Sequence, residues 1–312
     1  MKVAVLLATY NGEEFISQQI ESLLSQTYED FSIFVSDDCS TDMTLKIINE
    51  YCHKYPDKIH ILSSKKRFGG ACLNFLNLFE MVDSDIYLCC DQDDIWVPNK
   101  IEFMIREYLT INYEQPILFF SDLFVVDREL NIINNSFTKM MNLSVYDNTW
   151  KYYSVQNNVT GCAMLVNKKL VDIYKKNIGI ICKDNIVMHD YFFAFLASVF
   201  GNIFYLNKSL VQYRQHGNNV VGAKKVFSLN YLIRKLKNLQ GEKDMITKIR
   251  KQANEILKLC NSSSLENNID LNLLQKYAYL ERYCRVKRII FLIRYNFLKK
   301  SLIRRIGQIL LI

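Results

Sequence analysis

The alternation of short apolar segments with helical patterns constrains the fold of this chain more than any other feature. Helical patterns occupy 14–24, 40–51 and 70–81, and another begins near Pro98. Five apolar segments that read as buried strands alternate with them: 2–9, 31–38, 58–63, 85–91 and 117–127. Apolar strands alternating with helices predict an α/β fold with a mostly parallel sheet and helices on both faces.

Polar residues follow three of these predicted strands at the point where each strand ends. They occupy 9–12 after the first strand, 36–38 after the second and 91–94 after the fourth. Ligands of open parallel sheets bind outside the carboxyl ends of the strands. The sequence therefore predicts a nucleotide-type binding site at this edge of the sheet.

The segment after the fourth strand carries three carboxylates in four positions, Asp91, Asp93 and Asp94. Like charges this close repel one another, and each resists leaving water. Mg²⁺ prefers oxygen ligands and often carries substrate phosphates, so a cation bridging a diphosphate would explain the cluster. A solvated acidic turn that caps the next helix is the alternative explanation.

Composition indicates an ordered chain that keeps its thiols reduced. Of the 312 residues, 50% are hydrophobic and only 10 are Gly and 3 are Pro, which leaves room for a sizeable core. The nine cysteines show no metal-binding spacing, and the apolar run 3–8 is too short for a signal peptide. No run of about 20 apolar residues predicts a transmembrane helix. We therefore expect a cytoplasmic protein.

Charge divides the chain into an acidic front and a basic tail. Residues 1–223 contain 19 basic and 26 acidic residues, whereas 224–312 contain 20 basic and 6 acidic ones. The segment 159–167 is consistent with a further strand. From about residue 227 onward only helical patterns remain, including one over 228–241 and one continuous pattern over 273–312. We predict a catalytic domain over 1–223 and a basic helical region over 224–312.

Five motifs in order resemble family 2 glycosyltransferases with the GT-A fold. They are 8–12 (ATYNG), 36–42 (SDDCSTD), 67–70 with Asn74, 91–94 (DQDD), and His189-Asp190 with YRQHGNN at 213–219. The DQDDIW and YRQHG versions look most like bacterial rhamnosyltransferases of capsule and O-antigen assembly. The resemblance covers about 1–222 and implies a Rossmann-like GT-A domain that precedes the C-terminal helical extension.

The resemblance implies a nucleotide-sugar site. Thr9, Tyr10, Asn11 and Glu13 would line the base and ribose, and Asp38 would accept a hydrogen bond from the base. Arg67 would lie near the donor phosphates. The other implied donor contacts are Gly70, Asn74, Asp91 and Gln92.

The resemblance also implies a metal and a base. Asp93 would be the main ligand of Mg²⁺ or Mn²⁺, with Asp91 and His216 beside it, and Asp94 would bind metal or orient the loop. The alternative for His216 is a loop histidine whose hydrogen bonds are satisfied within the protein. Asp190 matches the general base of an inverting transfer. The acceptor would contact Trp96, Gly161 and His189, although Trp96 and His189 are equally suited to packing, and Arg214 to phosphate or structure.

The last segment predicts a membrane contact. Residues 285–312 carry eight Lys or Arg and no acid. An apolar stripe at helical spacing is made by Leu298, Leu302, Ile306, Ile309 and Leu310. A basic amphipathic helix binds anionic bilayer surfaces, so we expect a peripheral protein on the inner face of the membrane. Packing on the catalytic domain or on a second copy, as a homodimer, is the alternative, and no nucleic-acid module is visible.

The leading interpretation is a metal-dependent, inverting transferase that uses dTDP-rhamnose and a lipid-linked glycan acceptor. A UDP-hexose or UDP-hexosamine donor is the alternative within this chemistry. A sugar nucleotidyltransferase would need a Gly-rich basic loop after the first strand, and a nicotinamide enzyme would need G-x-G-x-x-G there; 9–14 provides neither. A non-catalytic scaffold subunit would not need both Asp93 and Asp190, and it would not hydrolyse a donor.

Overall fold

The computed structural model describes residues 1–62, 67–111, 114–216, 238–262 and 269–312. These residues form nine strands and twelve α-helices. The strands are β1 Val3–Thr9, β2 Ser32–Asp37, β3 Ile59–Ile61, β4 Ile86–Asp91, β5 Ile95–Trp96, β6 Ile117–Val126, β7 Ile132–Asn134, β8 Met164–Asn167 and β9 Asn202–Arg214. The helices are α1 Ile16–Leu24, α2 Thr44–Lys54, α3 Ala71–Met81, α4 Lys100–Leu109, α5 Phe137–Met140, α6 Trp150–Tyr153, α7 Lys168–Lys176, α8 His189–Phe200, α9 Leu239–Ser262, α10 Leu271–Ala278, α11 Arg285–Arg294 and α12 Leu302–Leu311.

One mixed sheet organises the fold, in the order β3-β2-β1-β4-β8-β6-β9-β5, with β7 beside β6. Strands β3, β2, β1 and β4 are parallel, β8 runs antiparallel between β4 and β6, and β6 pairs with β9 in parallel. Every residue of β1 is buried, as expected for a central strand covered on both faces. The α/β fold predicted from the alternating pattern is confirmed.

Two hydrophobic cores lie on opposite faces of the sheet. Because side chains alternate along a strand, Ala4 and Leu6 enter one core while Val3 and Val5 enter the other. The first core receives α3, α7 and α8; the second receives α1 and α4. The loops that follow the parallel strands are therefore held on a rigid base.

The C-terminal helices belong to the first core. Ile256 of α9, Leu274 of α10 and Phe297 after α11 are fully buried in the same cluster as α3 and α8. The proposed boundary at 223/224 and most of the helix predicted over 228–241 lie outside the described residues. No helix in the described part of the chain combines the length and apolar content needed to cross a bilayer.

Two predicted elements need correction. The segment 159–167, read as a strand, is a 3₁₀ turn over Gly161–Ala163 followed by the short strand β8. The helical pattern over 273–312 is not one helix, because it is broken after α10 and again after α11. At the second break Asn296 has a φ of 60°, which a right-handed helix cannot accommodate.

Candidate active site

The carboxyl ends of β1, β2 and β4 lie level with one another. Thr9 is in register with Asp37, and Ala8 is in register with both Ser36 and Asp91. The polar segments that follow the three strands therefore meet at one edge of the sheet, as predicted from their positions.

The loops after β1 and β2 are joined by hydrogen bonds. Asp37 accepts from the Thr9 hydroxyl at 2.8 Å, Asn11 Oδ1 accepts from the Thr41 amide at 2.8 Å, and Glu13 Oε2 accepts from the Met43 amide at 2.8 Å. Thr9 is 2% exposed, so its side chain is buried beneath this edge. Asn11 and Glu13 are exposed, but each already uses one oxygen to link the loops.

Asp38 holds the loop that contains Arg67. Its carboxylate accepts from the backbone amides of Phe68, Gly69 and Gly70, at 2.9 Å for the last two. Gly69 and Gly70 have φ values of 82° and 154°, a backbone geometry that favours glycine. The Asp38 side chain and the Gly70 amide are thus engaged within the protein, whereas the family resemblance assigned both residues to the donor.

Tyr10 and Arg67 form the exposed rim beside this loop. Arg67 Nη2 donates to the Tyr10 hydroxyl at 2.8 Å, and its guanidinium lies 5.0 Å from the centre of the Tyr10 ring. Tyr10 is 40% exposed. An aromatic face and a cation at the carboxyl ends of β1 and β2 suit a nucleoside phosphate.

Asn74 and Gln92 support the strand ends from inside. Asn74 Nδ2 donates to the Ser36 carbonyl at 2.9 Å, and Asn74 is 2% exposed. Gln92 bonds both the amide and the carbonyl of Tyr10, at 2.8 and 2.9 Å. Asn74 is therefore buried beneath the strand ends, and Gln92 positions Tyr10.

Asp93 and His216 meet in the loop after β4. His216 Nε2 lies 2.7 Å from Asp93 Oδ2, and both side chains are mostly buried, 8% and 17% exposed. Two residues predicted to bind metal are thereby brought together from sequence positions 123 residues apart. The three following residues of the YRQHGNN motif lie outside the described part of the chain.

Arg214 holds in place the acidic loop, which we define as residues 91–94. Its backbone amide donates to Asp94 Oδ1 at 3.0 Å and its Nε to the Asp93 carbonyl at 2.8 Å. Its two remaining nitrogens donate to Arg128 and Gln18. Of the two roles left open for Arg214, phosphate contact or structure, the geometry supports the structural one.

The acidic loop suits a hard divalent cation. Asp91, Asp94 and Cys162 offer ligand atoms within 4.8 Å of one another, and Asp94 Oδ2 is buried without a hydrogen-bond partner among the described residues. Carboxylate oxygens, with the His216 imidazole nearby, match Mn²⁺ or Mg²⁺, whereas the Cys162 thiol is a poor ligand for either. Burial, and then the charges of Asp93 and Asp190, raise the pKa of Asp91 to about 7.

Asp190 lies at the start of α8, close enough to Asp91 for its charge to affect that group. Its carboxylate accepts from the Tyr191 amide at 2.5 Å and from the Gly161 amide. Burial nevertheless raises the pKa of Asp190 to about 7. A carboxylate with a pKa near neutrality is suited to act as a general base.

Lys100 is a functional candidate that sequence reasoning missed. It is fully buried at the start of α4, and its Nζ donates to the Cys162 carbonyl at 2.5 Å. The same Nζ lies 3.2 Å from the centre of the Trp96 ring, while the Cys162 thiol lies within 4.8 Å of a carboxylate oxygen of Asp94. The 161–163 turn therefore joins the acidic loop to Asp190. The only sequence signal was the Trp96–Lys100 spacing of four.

Two predicted acceptor contacts are buried instead. Trp96 is 2% exposed and packs against Lys100. His189 is 3% exposed, stacks on Phe75 at 4.0 Å and abuts Gly161. Burial lowers the pKa of His189 to about 3, so it is neutral. Gly161 lies beside Asp190, and the His189 ring occupies the space that a side chain at position 161 would need.

Sequence comparisons relate the chain to bacterial glycosyltransferases. Residues 4–173 match the profile of glycosyl transferase family 2. The dTDP-rhamnosyl transferase RfbG of Shigella flexneri is 34% identical over 235 residues, which cover 72% of this chain and 76% of that protein. An uncharacterized glycosyltransferase of Haemophilus influenzae is 30% identical over 224 residues, covering 69% of this chain and 66% of that protein.

Solved structures with the same fold include two glycosyltransferases. S. aureus TarS 1–349 in complex with UDP-GlcNAc has a TM-score of 0.58 and 16% identity, covering 89% of this chain and 70% of that one. Mannosyltransferase PcManGT from Pyrobaculum calidifontis, in complex with GDP-Man and Mn²⁺, has a TM-score of 0.54 and 13% identity, covering 93% of this chain and 71% of that one.

Proposed function

Because this chain belongs to glycosyl transferase family 2, we propose that it moves a sugar from a nucleotide donor to a glycan hydroxyl with inversion. The observation that carries the proposal is the placement of Asp190 beside the acidic loop, at the sheet edge where Tyr10 and Arg67 are exposed. A single displacement needs a base on one side of the anomeric carbon and a diphosphate site on the other.

Asp190 takes the proton in this reaction. An acceptor hydroxyl oxygen attacks the anomeric carbon of the donor sugar, and its proton passes to the Asp190 carboxylate. The bond from the anomeric carbon to the diphosphate oxygen breaks, and the nucleoside diphosphate leaves with the electron pair. The Gly161 and Tyr191 amides orient the Asp190 carboxylate for this transfer.

Asp91, Asp93 and His216 would hold Mg²⁺ or Mn²⁺, which when bound supplies positive charge to the leaving diphosphate. Asp94 and Arg214 position the loop that carries these ligands. Arg67 contributes a second positive charge on the nucleotide side. The Tyr10 ring provides an apolar surface for the nucleoside.

The first donor to test is dTDP-rhamnose. The relative RfbG, called a dTDP-rhamnosyl transferase, supports this choice. The UDP-GlcNAc complex of TarS is the reason to test a UDP-hexosamine donor as well. The acceptor that we propose is a growing, lipid-linked bacterial surface glycan, reached by a peripheral enzyme at the inner face of the membrane.

A donor screen tests the proposal. Binding and slow hydrolysis of dTDP- and UDP-sugars are measured with Mn²⁺, for wild type, Asp93→Ala and Asp190→Ala. We expect one donor to be bound and cleaved, Asp93→Ala to weaken its binding, and Asp190→Ala to stop cleavage while binding persists. Absence of binding to any nucleotide sugar with any metal would overturn the proposal, and binding without cleavage by the wild type would favour a scaffold subunit.

A further inference from the structure

Exposed apolar side chains are concentrated on the last two helices. On α11 they are Val286, Ile290 and Ile293, with 66%, 55% and 56% of each side chain exposed; on α12 they are Leu302, Ile306 and Leu310, with 68%, 49% and 64% exposed. Spacings of three or four residues place each trio along one side of its helix. Each helix therefore presents an apolar stripe to solvent.

The two helices are held on the protein by their opposite sides. Leu292 of α11 is fully buried, and Gln308 of α12 is 5% exposed and bonds the Phe297 carbonyl at 2.9 Å. Phe297, between the helices, stacks on Tyr277 of α10 at 4.6 Å. Both exposed stripes therefore face away from the body of the enzyme.

The start of α11 is linked to the end of α12 by a hydrogen bond. Arg285 at the start of α11 donates to the Leu310 carbonyl at the end of α12, at 2.9 Å. We name the two stripes together the two-helix face and define it by the six residues given above. Each helix has ten residues, or about 15 Å at 1.5 Å per residue.

The charge around this face identifies its partner. Residues 285–312 contain eight Lys or Arg and no Asp or Glu, and Arg285, Lys287 and Arg294 are exposed on α11. A second copy docking through the same face would bring like charge against like charge. An anionic lipid surface accepts both the apolar side chains and the cations.

We propose that the two-helix face docks on an anionic lipid bilayer, with α11 and α12 lying in the plane of the interface. The six apolar side chains enter the boundary between headgroups and acyl chains, and the exposed Lys287 and Arg294 contact phosphates. The proposed function supplies the setting, a lipid-linked acceptor, but docking itself requires no transfer.

Vesicle binding by the full chain tests this inference. Sedimentation with phosphatidylglycerol-containing vesicles is compared with phosphatidylcholine vesicles at low and high salt. We expect the wild type to bind the anionic vesicles with an affinity that falls as salt rises. The double variant Lys287→Ala with Arg294→Ala should lose roughly tenfold or more of this affinity, and Ile290→Asp with Ile306→Asp should lose a comparable amount. Ile132→Asp with Ile133→Asp, on exposed β7, is the matched control and should bind like wild type.

Three results would overturn the inference. They are absence of sedimentation with anionic vesicles, equal loss in the β7 control, or a wild-type dimer that Ile306→Asp converts to monomers in light scattering. Thermal melting identifies any variant that fails to fold, and the lysine–arginine variant then provides the test. Donor hydrolysis without vesicles is measured in parallel, so failure of docking is distinguished from failure of the proposed transferase activity.

Discussion

At the scale of single residues, Asp190 is the side chain on which the proposed chemistry depends most. Asp190→Asn keeps the size of the side chain and removes the base, so we expect kcat for transfer to fall by about 10²–10⁴ with donor affinity retained. Steady-state kinetics and donor titration by calorimetry measure the two quantities. Asp184→Asn, on the exposed turn before α8, is the control; an equal loss there, or full activity of Asp190→Asn, would contradict the assignment.

The raised pKa of Asp190 also has a consequence for stability. The folded state holds its proton up to about pH 7, whereas the ordinary value is 3.8, so folded protein binds more protons between these values and its stability falls as pH rises. Asp190→Asn removes this effect. We expect its melting temperature to exceed that of wild type at pH 8 without metal, and the difference to shrink toward pH 4. A constant difference across that range would show that Asp190 does not titrate in this way.

The sequence predicts which residues lie near the site, but it does not predict which way their side chains point. The positions of the predicted strand ends indicate that the carboxylates at 91–94 lie beside the carboxyl ends of β1 and β2. Thr9, Asn74, Trp96 and His189 are nonetheless buried, because spacing along the chain does not say which neighbour fills the space above a side chain. Lys100 was missed for the converse reason, since a lysine at a helix start normally lies in solvent.

At the scale of elements, the 161–163 turn connects the acidic loop to the base. Lys100→Met removes the hydrogen bond to the Cys162 carbonyl, so the turn loses its attachment to the start of α4. A small displacement of the Gly161 amide misorients the Asp190 carboxylate, and we expect kcat to fall about tenfold or more while donor affinity changes little. Rapid-quench kinetics and nucleotide titration separate these effects.

Lys151→Met is the matched control for this element. Lys151 lies 5.8 Å from the centre of the Trp150 ring, so it repeats the lysine–tryptophan pair away from the site. Its kcat should equal that of wild type. If Lys100→Met weakens donor binding and kcat equally, the turn serves the acidic loop alone and does not position Asp190.

Element prediction succeeded for most strands of the alternating pattern, including the three-residue β3, and failed for β5 and for the helical pattern over 273–312. Strands β1, β2, β4 and β6 are long apolar segments and were predicted. Strand β5 has two residues and exists because Ile95 and Trp96 pair with β9, a partner more than 100 residues away. The breaks between α10, α11 and α12 were missed because apolar spacing continues across them, although only some of those positions reach the core.

At the scale of the whole molecule, the acidic front and basic tail are one packed body in the described residues. The charge boundary near residue 223 therefore does not coincide with a boundary in the core, since α9 supports the segment before Asp190. Gln252 accepts from the Val187 amide at 2.8 Å, and Glu255 accepts from the Cys182 amide at 3.0 Å. The helical tail is thus part of the support for the candidate base.

Truncation tests whether the acidic front and the basic tail fold as one unit. A chain ending at residue 237 would lose Ile256, Leu274 and Phe297, all fully buried, and would expose the apolar side of α8 to water. We expect it to aggregate or to melt far below wild type, without donor hydrolysis. A chain ending at Lys300 loses only α12, of which Gln308 alone is buried, and should fold, hydrolyse donor and lose much of its affinity for anionic vesicles. A soluble, active 1–237 chain would instead establish an independent catalytic domain.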